Sequence, residues 1–431
     1  METAMTNGGL GPLWDGATVA VIGGGPGGTA TAIALRREAQ ALGRTVRVIV
    51  VEGKQFSGEQ QYNQCVGVLS PPIVDLFQKE LEVPFPHLLS QTVIVGYVLH
   101  TPRQQIVLDG EGEPSISLRR IQFDAYMLDA IRERGVEVLH ARVTGLEFHT
   151  DRVIIYTEKG PLEVDVVVGA FGMDEGTGVL FADAVGYKPP PALSSVVTKY
   201  HPGEASMTKF GNHIHAFLPT LPRIEFGAIT PKRNHLTVNI AGATVDANLM
   251  DIFLRLPEVQ SALPGIEVVL SSRSTTEYLR YFKGRFPRGL ARHFMGDRFV
   301  MVGDAAGLVR AFKGKGVTSA IQTGVRAAHT ILHVGISGRA FRAYRTANAD
   351  ILDDLPYGQA MRHLSILASH LGVMDFIVQV AKTEPGLRQA LFDAVSADRS
   401  YQEVVRQGLT RSSVRAMLVA LVRGNSFRRI V

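Results

Sequence analysis

The chain has 431 residues, more than one ordinary domain of ~100 to 200, so two or three units sharing cores are expected. With 45% apolar and 20% charged residues, and 44 Gly and 21 Pro spread along it, the composition excludes both disorder as the main state and a small peptide-binding module. The net charge of +5 is too small to announce a nucleic-acid binder but suits phosphate ligands or anionic lipid, and the single cysteine, Cys65, excludes an intrachain disulfide and any multi-cysteine metal site.

From the start, the first basic residue is Arg36 and no apolar leader precedes it, so a secretory signal is not expected. No run reaches the ~18 to 20 apolar residues of a membrane span. The expected location is the cytoplasm, with any membrane contact peripheral and at the inner face. Thr18 to Ile22 (TVAVI) is a β-branched run that leads straight into Gly23-Gly24-Gly25-Pro26-Gly27-Gly28, a G-x-G-x-x-G turn. A helix over Thr29 to Leu42 and a second strand over Thr45 to Val51 complete a βαβ unit. The glycines, Gly23, Gly25, Gly27 and Gly28, let backbone approach a pyrophosphate, and the helix start supplies free N–H groups and partial positive charge. Glu52 ends the second strand, where a carboxylate accepts both ribose hydroxyls of an adenosine; that favours FAD or NAD over NADP.

Further along, Arg120 precedes a predicted helix from Phe123 to Arg134 and is a permanent cation suited to phosphate oxygens. Residues 188 to 285 read mostly as strands and turns, the pattern of an antiparallel sheet able to bind substrate. His213 and His215 alternate there on one strand face, where they could donate a proton or hold a metal with a third ligand, or serve as ordinary strand histidines. Asp297 to Val302 is another strand, followed by Gly303-Asp304-Ala305-Ala306-Gly307, then Lys313-Gly314-Lys315-Gly316-Val317 and a helix from Thr318 to Leu332. If a dinucleotide lies across the first unit, Asp304 can bond the ribityl chain while the new helix points its positive end at the pyrimidine edge of a flavin, reinforced by Lys313 and Lys315. From Phe341 the pattern is helical. Its last part gathers Arg406, Arg411, Arg415, Arg423, Arg428 and Arg429 around Val414, Met417, Leu418, Leu421 and Val422 at helical spacing, either an interfacial membrane anchor or the solvated face of a docked helix.

Three pieces, Gly23 to Gly28 with Glu52, Arg120-Ile-Gln-Phe-Asp124, and Gly303-Asp-Ala-Ala-Gly307 to Gly316, occur in the order found in the flavoprotein superfamily of aromatic hydroxylases and prenyl reductases, which the chain resembles. Within it the chain is similar to the geranylgeranyl reductase family, whose active-site loop carries a cysteine soon after the ribose-binding acid; here it reads Gln64-Cys65-Val66-Gly67-Val68-Leu69-Ser70. The resemblance implies an α/β fold: a Rossmann-like FAD-binding domain with an inserted antiparallel β-sheet substrate domain and a helical C-terminal region. The boundaries expected are 17–75, 118–187 and 291–335 for the FAD-binding domain, 76–117 and 188–290 for the substrate domain, and 336–431 for the helical region. FAD is the implied cofactor, with Glu52 on ribose, Arg120 near phosphate, Val143 among the cofactor contacts, and Asp304, Gly314, Gly316 and Val317 at the ribityl chain and ring.

The implied reaction is reduction of carbon–carbon double bonds in an apolar, isoprenoid-type substrate, with hydride from reduced flavin and a proton from Cys65. The alternatives are an FAD monooxygenase and a membrane-docked flavoprotein with a redox-neutral or lipid-binding role. No second nucleotide-binding unit is evident, so NAD(P)H must dock transiently or a protein must donate electrons; nucleic acid is not an expected partner. Three departures stand out. The hydroxylases' Gly-Ala-Asp-Gly turn is Gly169-Ala170-Phe171-Gly172, which weakens NADPH-driven hydroxylation. The reductases' Tyr-x-Trp-x-Phe-Pro strand is Ile214-His215-Ala216-Phe217-Leu218-Pro219, and a usual proline is replaced by Ala311 between Arg310 and Phe312. The halogenases' Trp-x-Trp-x-Ile-Pro is missing, the one tryptophan being Trp14.

Overall fold

A computed structural model describes residues 9–54, 65–110, 112–218, 221, 223–271, 279–310, 316–408, 410 and 415. TVAVI forms the strand Thr18–Ile22 inside a six-stranded sheet, since an apolar run with no polar face belongs where helices cover both sides of parallel strands. Arg47–Val51 and Val166–Gly169 flank it in parallel, with Thr18 opposite Arg47 and Val19 opposite Val166. The full order is Met295–Gly296, Phe299–Met301, Val166–Gly169, Thr18–Ile22, Arg47–Val51, Glu137–Leu139. The strands named from the early and the late glycine segments thus share one sheet.

Both helices that follow glycine turns start earlier than the apolar pattern marks. The first, Pro26–Ala41, opens on a proline, whose missing N–H costs nothing in the first turn; the second is Gly316–His333. They pack side by side, and the contact requires a glycine: a Cβ at Gly324 would stand 2.6 Å from the Gly27 carbonyl oxygen and 2.7 Å from Thr31 Oγ1.

The second sheet has seven strands in the order Phe282–Pro287, Ala192–Tyr200, His235–Gly242, Phe226–Lys232, His213–Phe217, Gly96–His100, Gln105–Asp109. A wholly antiparallel sheet is corrected at one place: His213–Phe217 runs parallel to Gly96–His100. There the hairpin from segment 76–117 meets strands from far downstream, and no tight turn dictates direction. Strands through 285 are also corrected, because 247–271 folds as the helices Ala247–Leu254, Pro257–Ala262 and Ile266–Ser271, and Glu204–Phe210 is a short helix. Leu249, Met250, Phe253 and Leu254 fall at helical spacing, and Asp246 caps the first of these helices by accepting from the Leu249 N–H. Phe253 and Leu254 share a core with Val196, Ile229, Val238 and Ile240 of the sheet.

The C-terminal region is helical as expected, with Leu355–His370, Val373–Ala381, Pro385–Ser396 and Tyr401–Gly408. Val378, Ala381 and Leu387 pack on Tyr97, Leu99, Ile106 and Leu108. The buried Arg362 pairs with Glu225 at 2.5 and 2.7 Å, tying the region to the seven-stranded sheet. Of the basic amphipathic segment, Arg406 lies on Tyr401–Gly408 and Arg415 is described; Arg411, Val414, Met417, Leu418, Leu421, Val422, Arg423, Arg428 and Arg429 lie outside the described residues. Among the described residues no single helix is long and apolar enough to cross a membrane.

Candidate functional site

The first glycine turn divides its work between packing and openness. Gly23 sits at φ +109°, and a Cβ on Gly28 would stand 1.9 Å from the Gly23 carbonyl oxygen, so neither position accepts a side chain. Gly27 is closed in by Val302 and Ala320. Gly25, the residue that caps the Pro26–Ala41 helix, differs: a Cβ there would meet nothing within 4 Å. It faces open space in front of free helix N–H groups, and no acid stands in the first turn to compete for them. This is a cradle for an anion.

Glu52 is buried and closes the turn from the end of the second strand. Its Oε2 accepts from the Gly24 N–H at 2.7 Å and its Oε1 from the Lys54 N–H at 2.7 Å. Val143 opens the strand Val143–Phe148, and the two residues before it, Ala141 and Arg142, lie against Gly53. Val143 therefore falls near the same end of the cradle as Glu52.

Asp304 stands in the first turn of the short helix Gly303–Ala306, facing the start of the second glycine helix: a Cβ on Gly316 would lie 3.3 Å from its Oδ1. Burial pushes the Asp304 carboxyl up, and Arg120 pulls it the other way. Val317 follows, buried. Gly314, with Lys313, Lys315, Ala311 and Phe312, lies outside the described residues. A glycine cradle, a buried acid at one end and a second acid facing a second helix start together fit a dinucleotide with a polar middle, as FAD has.

Cys65 is exposed, and its sulfur accepts from the Gly67 N–H at 3.3 Å. The segment that follows is tied on two sides. Leu69 pairs with Ile116 in a small sheet, and the Thr318 hydroxyl donates to the Ser70 carbonyl at 3.0 Å, which places the Cys65 segment against the first turn of the second glycine helix. Arg120 is the first residue of the helix Arg120–Arg132 rather than a residue ahead of it, and it makes an i,i+4 ion pair with Asp124 at 2.9 and 3.1 Å. Burial would lower the Arg120 guanidinium, yet Asp124 and Cys65 hold it above its ordinary value. Arg120 is thus directed at Asp124 and Cys65, which accounts for the spacing of the Arg-Ile-Gln-Phe-Asp segment.

Sequence reasoning missed Lys232 and Lys199. Lys232 is buried at the end of Phe226–Lys232, donates to the Leu118 carbonyl, and its amine stands 2.8 Å from where a Gly67 Cβ would be. Burial brings the amine down to about 8; Cys65 opposes this, and Lys199, Arg119 and Arg120 add to it. Burial and Arg119 lower Lys199 as well. The only trace in sequence is a lysine at a strand's end, which marks countless surfaces.

The two strand histidines do not converge. His213 Nε2 lies 2.7 Å from Asp109 Oδ1, while His215 Nδ1 lies 3.0 Å from His100 Nε2. A metal shared by His213 and His215 is corrected accordingly, since each ring is turned to its own partner. Burial lowers His100 to about 4 and His215 to about 3, so this stacked pair is neutral near pH 7. In the Gly169-Ala-Phe-Gly172 turn, Phe171 fills the acid's place and stacks on Phe181 at 5.4 Å, with Tyr187 edge-on at 5.8 Å.

No protein-family model matches the chain. It is 24% identical over 350 residues, 74% of this chain and 67% of the relative, to the chloroplastic geranylgeranyl diphosphate reductase of Nicotiana tabacum. Among solved structures it is similar to a geranylgeranyl bacteriochlorophyll reductase-like protein from Thermoplasma acidophilum, with a TM-score of 0.68 at 16% identity over 92% of this chain and 99% of that one. A flavin-dependent brominase gives 0.63 at 15% over 96% and 100%, and a flavoprotein/dehydrogenase from Cytophaga hutchinsonii 0.63 at 16% over 94% and 98%. These likenesses show a shared fold, the Rossmann-type α/β architecture of flavoproteins.

Proposed function

We propose that this chain, an FAD-dependent oxidoreductase by fold and by the fit of its two glycine elements, reduces carbon–carbon double bonds of an apolar, isoprenoid-type substrate. The observation that carries the reading is the Cys65 segment held against the start of the second glycine helix, with Arg120 and Lys232 facing the sulfur. Gly25, Glu52, Asp304, Gly316 and Val317 would hold FAD, which supplies the hydride when reduced by NAD(P)H or a protein donor. The second carbon needs a proton, and Cys65 is the group offered for it. Arg120 and Lys232 stabilise the charge left on the sulfur, and Lys232, titrating near neutrality, holds a proton that can restore the thiol.

The named reductase likeness supports this reading, and so does Phe171, which stands where the hydroxylases of the superfamily carry an acid that helps bind FAD and NADPH and here stacks on Phe181 instead. The test is the product mass when the FAD-loaded protein is given reduced donor and a prenyl substrate: a gain of two hydrogens is expected. A gain of one oxygen would replace the reading with monooxygenation, and an unchanged substrate beside a bleachable flavin would reject it. An anionic membrane surface is the proposed place of substrate collection, supported by Leu364, Leu367 and Leu371, exposed in one stripe on and just past the Leu355–His370 helix.

A further inference from the structure

Away from the glycine cradle, the far ends of the two glycine-turn helices carry three metal-binding side chains. His329 and His333 lie one turn apart on Gly316–His333, so their rings share a face. Glu38 reaches them from the last turn of Pro26–Ala41. His329 Nδ1 is 3.2 Å and His333 Nε2 3.1 Å from the same carboxylate oxygen of Glu38, and the donor atoms all lie within 4.8 Å of one another.

We propose that Glu38, His329 and His333 bind a divalent transition ion of the zinc class, clamping the two helices together at the ends remote from FAD. Ligands on ~2.0 to 2.1 Å bonds at a tetrahedral angle stand roughly 3.3 Å apart, so each histidine nitrogen already stands from the Glu38 oxygen at about the separation such an ion needs. Two imidazole nitrogens and one carboxylate favour zinc, nickel or copper over magnesium, which takes oxygen ligands. The three side chains border a depression of about 440 Å³ that Arg37, Lys79 and Glu82 also help to line. Arg37 is 3.6 Å from Glu82, and Lys79 is 2.9 Å from Asp75, so both neighbouring cations are partly neutralised.

The ion would be structural. Thr330 takes the place beside the first histidine where zinc hydrolases keep a general base, and its hydroxyl is bonded to the Arg326 carbonyl at 2.9 Å. The effect falls on rigidity instead: the clamped helices are the ones whose opposite ends present Gly25 and Gly316.

Calorimetric titration of the full-length FAD-loaded protein with zinc chloride, and separately with magnesium chloride, tests this. One equivalent of zinc should bind, magnesium should not, and zinc should raise the melting temperature. His333→Ala or His329→Ala should weaken zinc by at least roughly 10- to 100-fold, as loss of even outer ligand-shell partners does. Both variants should keep bound flavin and the melting temperature of the zinc-free protein. Cys65→Ser separates this site from adventitious thiol binding, and should leave the zinc affinity unchanged. Absence of binding at micromolar zinc, or an affinity in both histidine variants unchanged from that of the unsubstituted protein, would show that the rings merely hydrogen-bond Glu38 and would overturn the proposal. Neither result depends on the substrate assigned to the enzyme.

Discussion

Burial leaves the Lys232 amine titrating near 8 beside the Cys65 sulfur, so its charge changes within the range where turnover is measured. Turnover should therefore fall as pH rises through about 8 and the amine loses the proton it keeps for the thiol. Lys232→Met should retain FAD, lose most turnover and abolish that limb of the pH profile; an unchanged limb would put the proton elsewhere. Cys65→Ser should likewise keep FAD and lose most turnover, measured as product formed per flavin. At the same helix start, Asp304→Ala removes a charge-assisted hydrogen bond worth ~1.5 to 3 kcal/mol. FAD affinity should drop roughly ten- to a hundredfold by fluorescence titration, and full retention would deny the acid that role.

Two glycines of the cofactor-binding elements should separate packing from ligand contact. A Cβ on Gly324 would collide with Gly27 and Thr31, so Gly324→Ala should force the helices apart and cost ~1 to 3 kcal/mol in chemical denaturation. A Cβ on Gly25 meets only open space at an ordinary φ of −73°, so Gly25→Ala should leave the melting temperature of FAD-free protein unchanged while weakening FAD. Equal effects on both readouts in both variants would reject the distinction. The contrast also explains what could be read from sequence. TVAVI, the glycine turns and Glu52 were legible because a local backbone need leaves few residues to choose from. Lys232 beneath Cys65, the parallel join at His213 and the approach of Arg120 to Cys65 were not. Each is decided by elements distant in sequence, and a lysine or histidine in a strand carries no mark of what will face it. The helices over 247–271 were legible in principle, through Asp246 and the Leu249-Met250-Phe253-Leu254 spacing, but the strands on either side masked them.

Across the whole molecule, pH acts through buried rings. His100, His215 and His235 all sit below their ordinary 6.5, mainly through burial, at about 4, about 3 and about 3. Between 6.5 and those values the unfolded chain binds more protons than the folded one. The stability these neutral rings contribute is therefore whole above 6.5 and lost as pH falls toward 3, by up to ~1.4 kcal/mol per pH unit for each ring. Denaturant midpoints from pH 7 to 4 should show this decline, and His215→Phe should flatten it; a parallel curve would exclude His215 as a contributor. At the surface, vesicles of anionic lipid should float the protein at low salt. Leu364→Glu with Leu367→Glu should abolish flotation if the exposed stripe inserts, and leave it intact if the arginine-rich end alone binds.

The order of strands in the six-stranded sheet has a consequence for how the protein is made. Thr18–Ile22 leaves the ribosome well before its neighbour Val166–Gly169, which is itself flanked by Phe299–Met301 on its far side. At ~5 to 20 residues per second, roughly 15 to 60 s pass between the first strand and the last. Through that interval the nascent sheet keeps an apolar strand with an unpaired edge, first Thr18–Ile22 and then Val166–Gly169, the form of exposure that chaperones hold and that aggregates when they are scarce. Yield in a heterologous host should accordingly depend more on chaperone supply than on the stability of the finished protein.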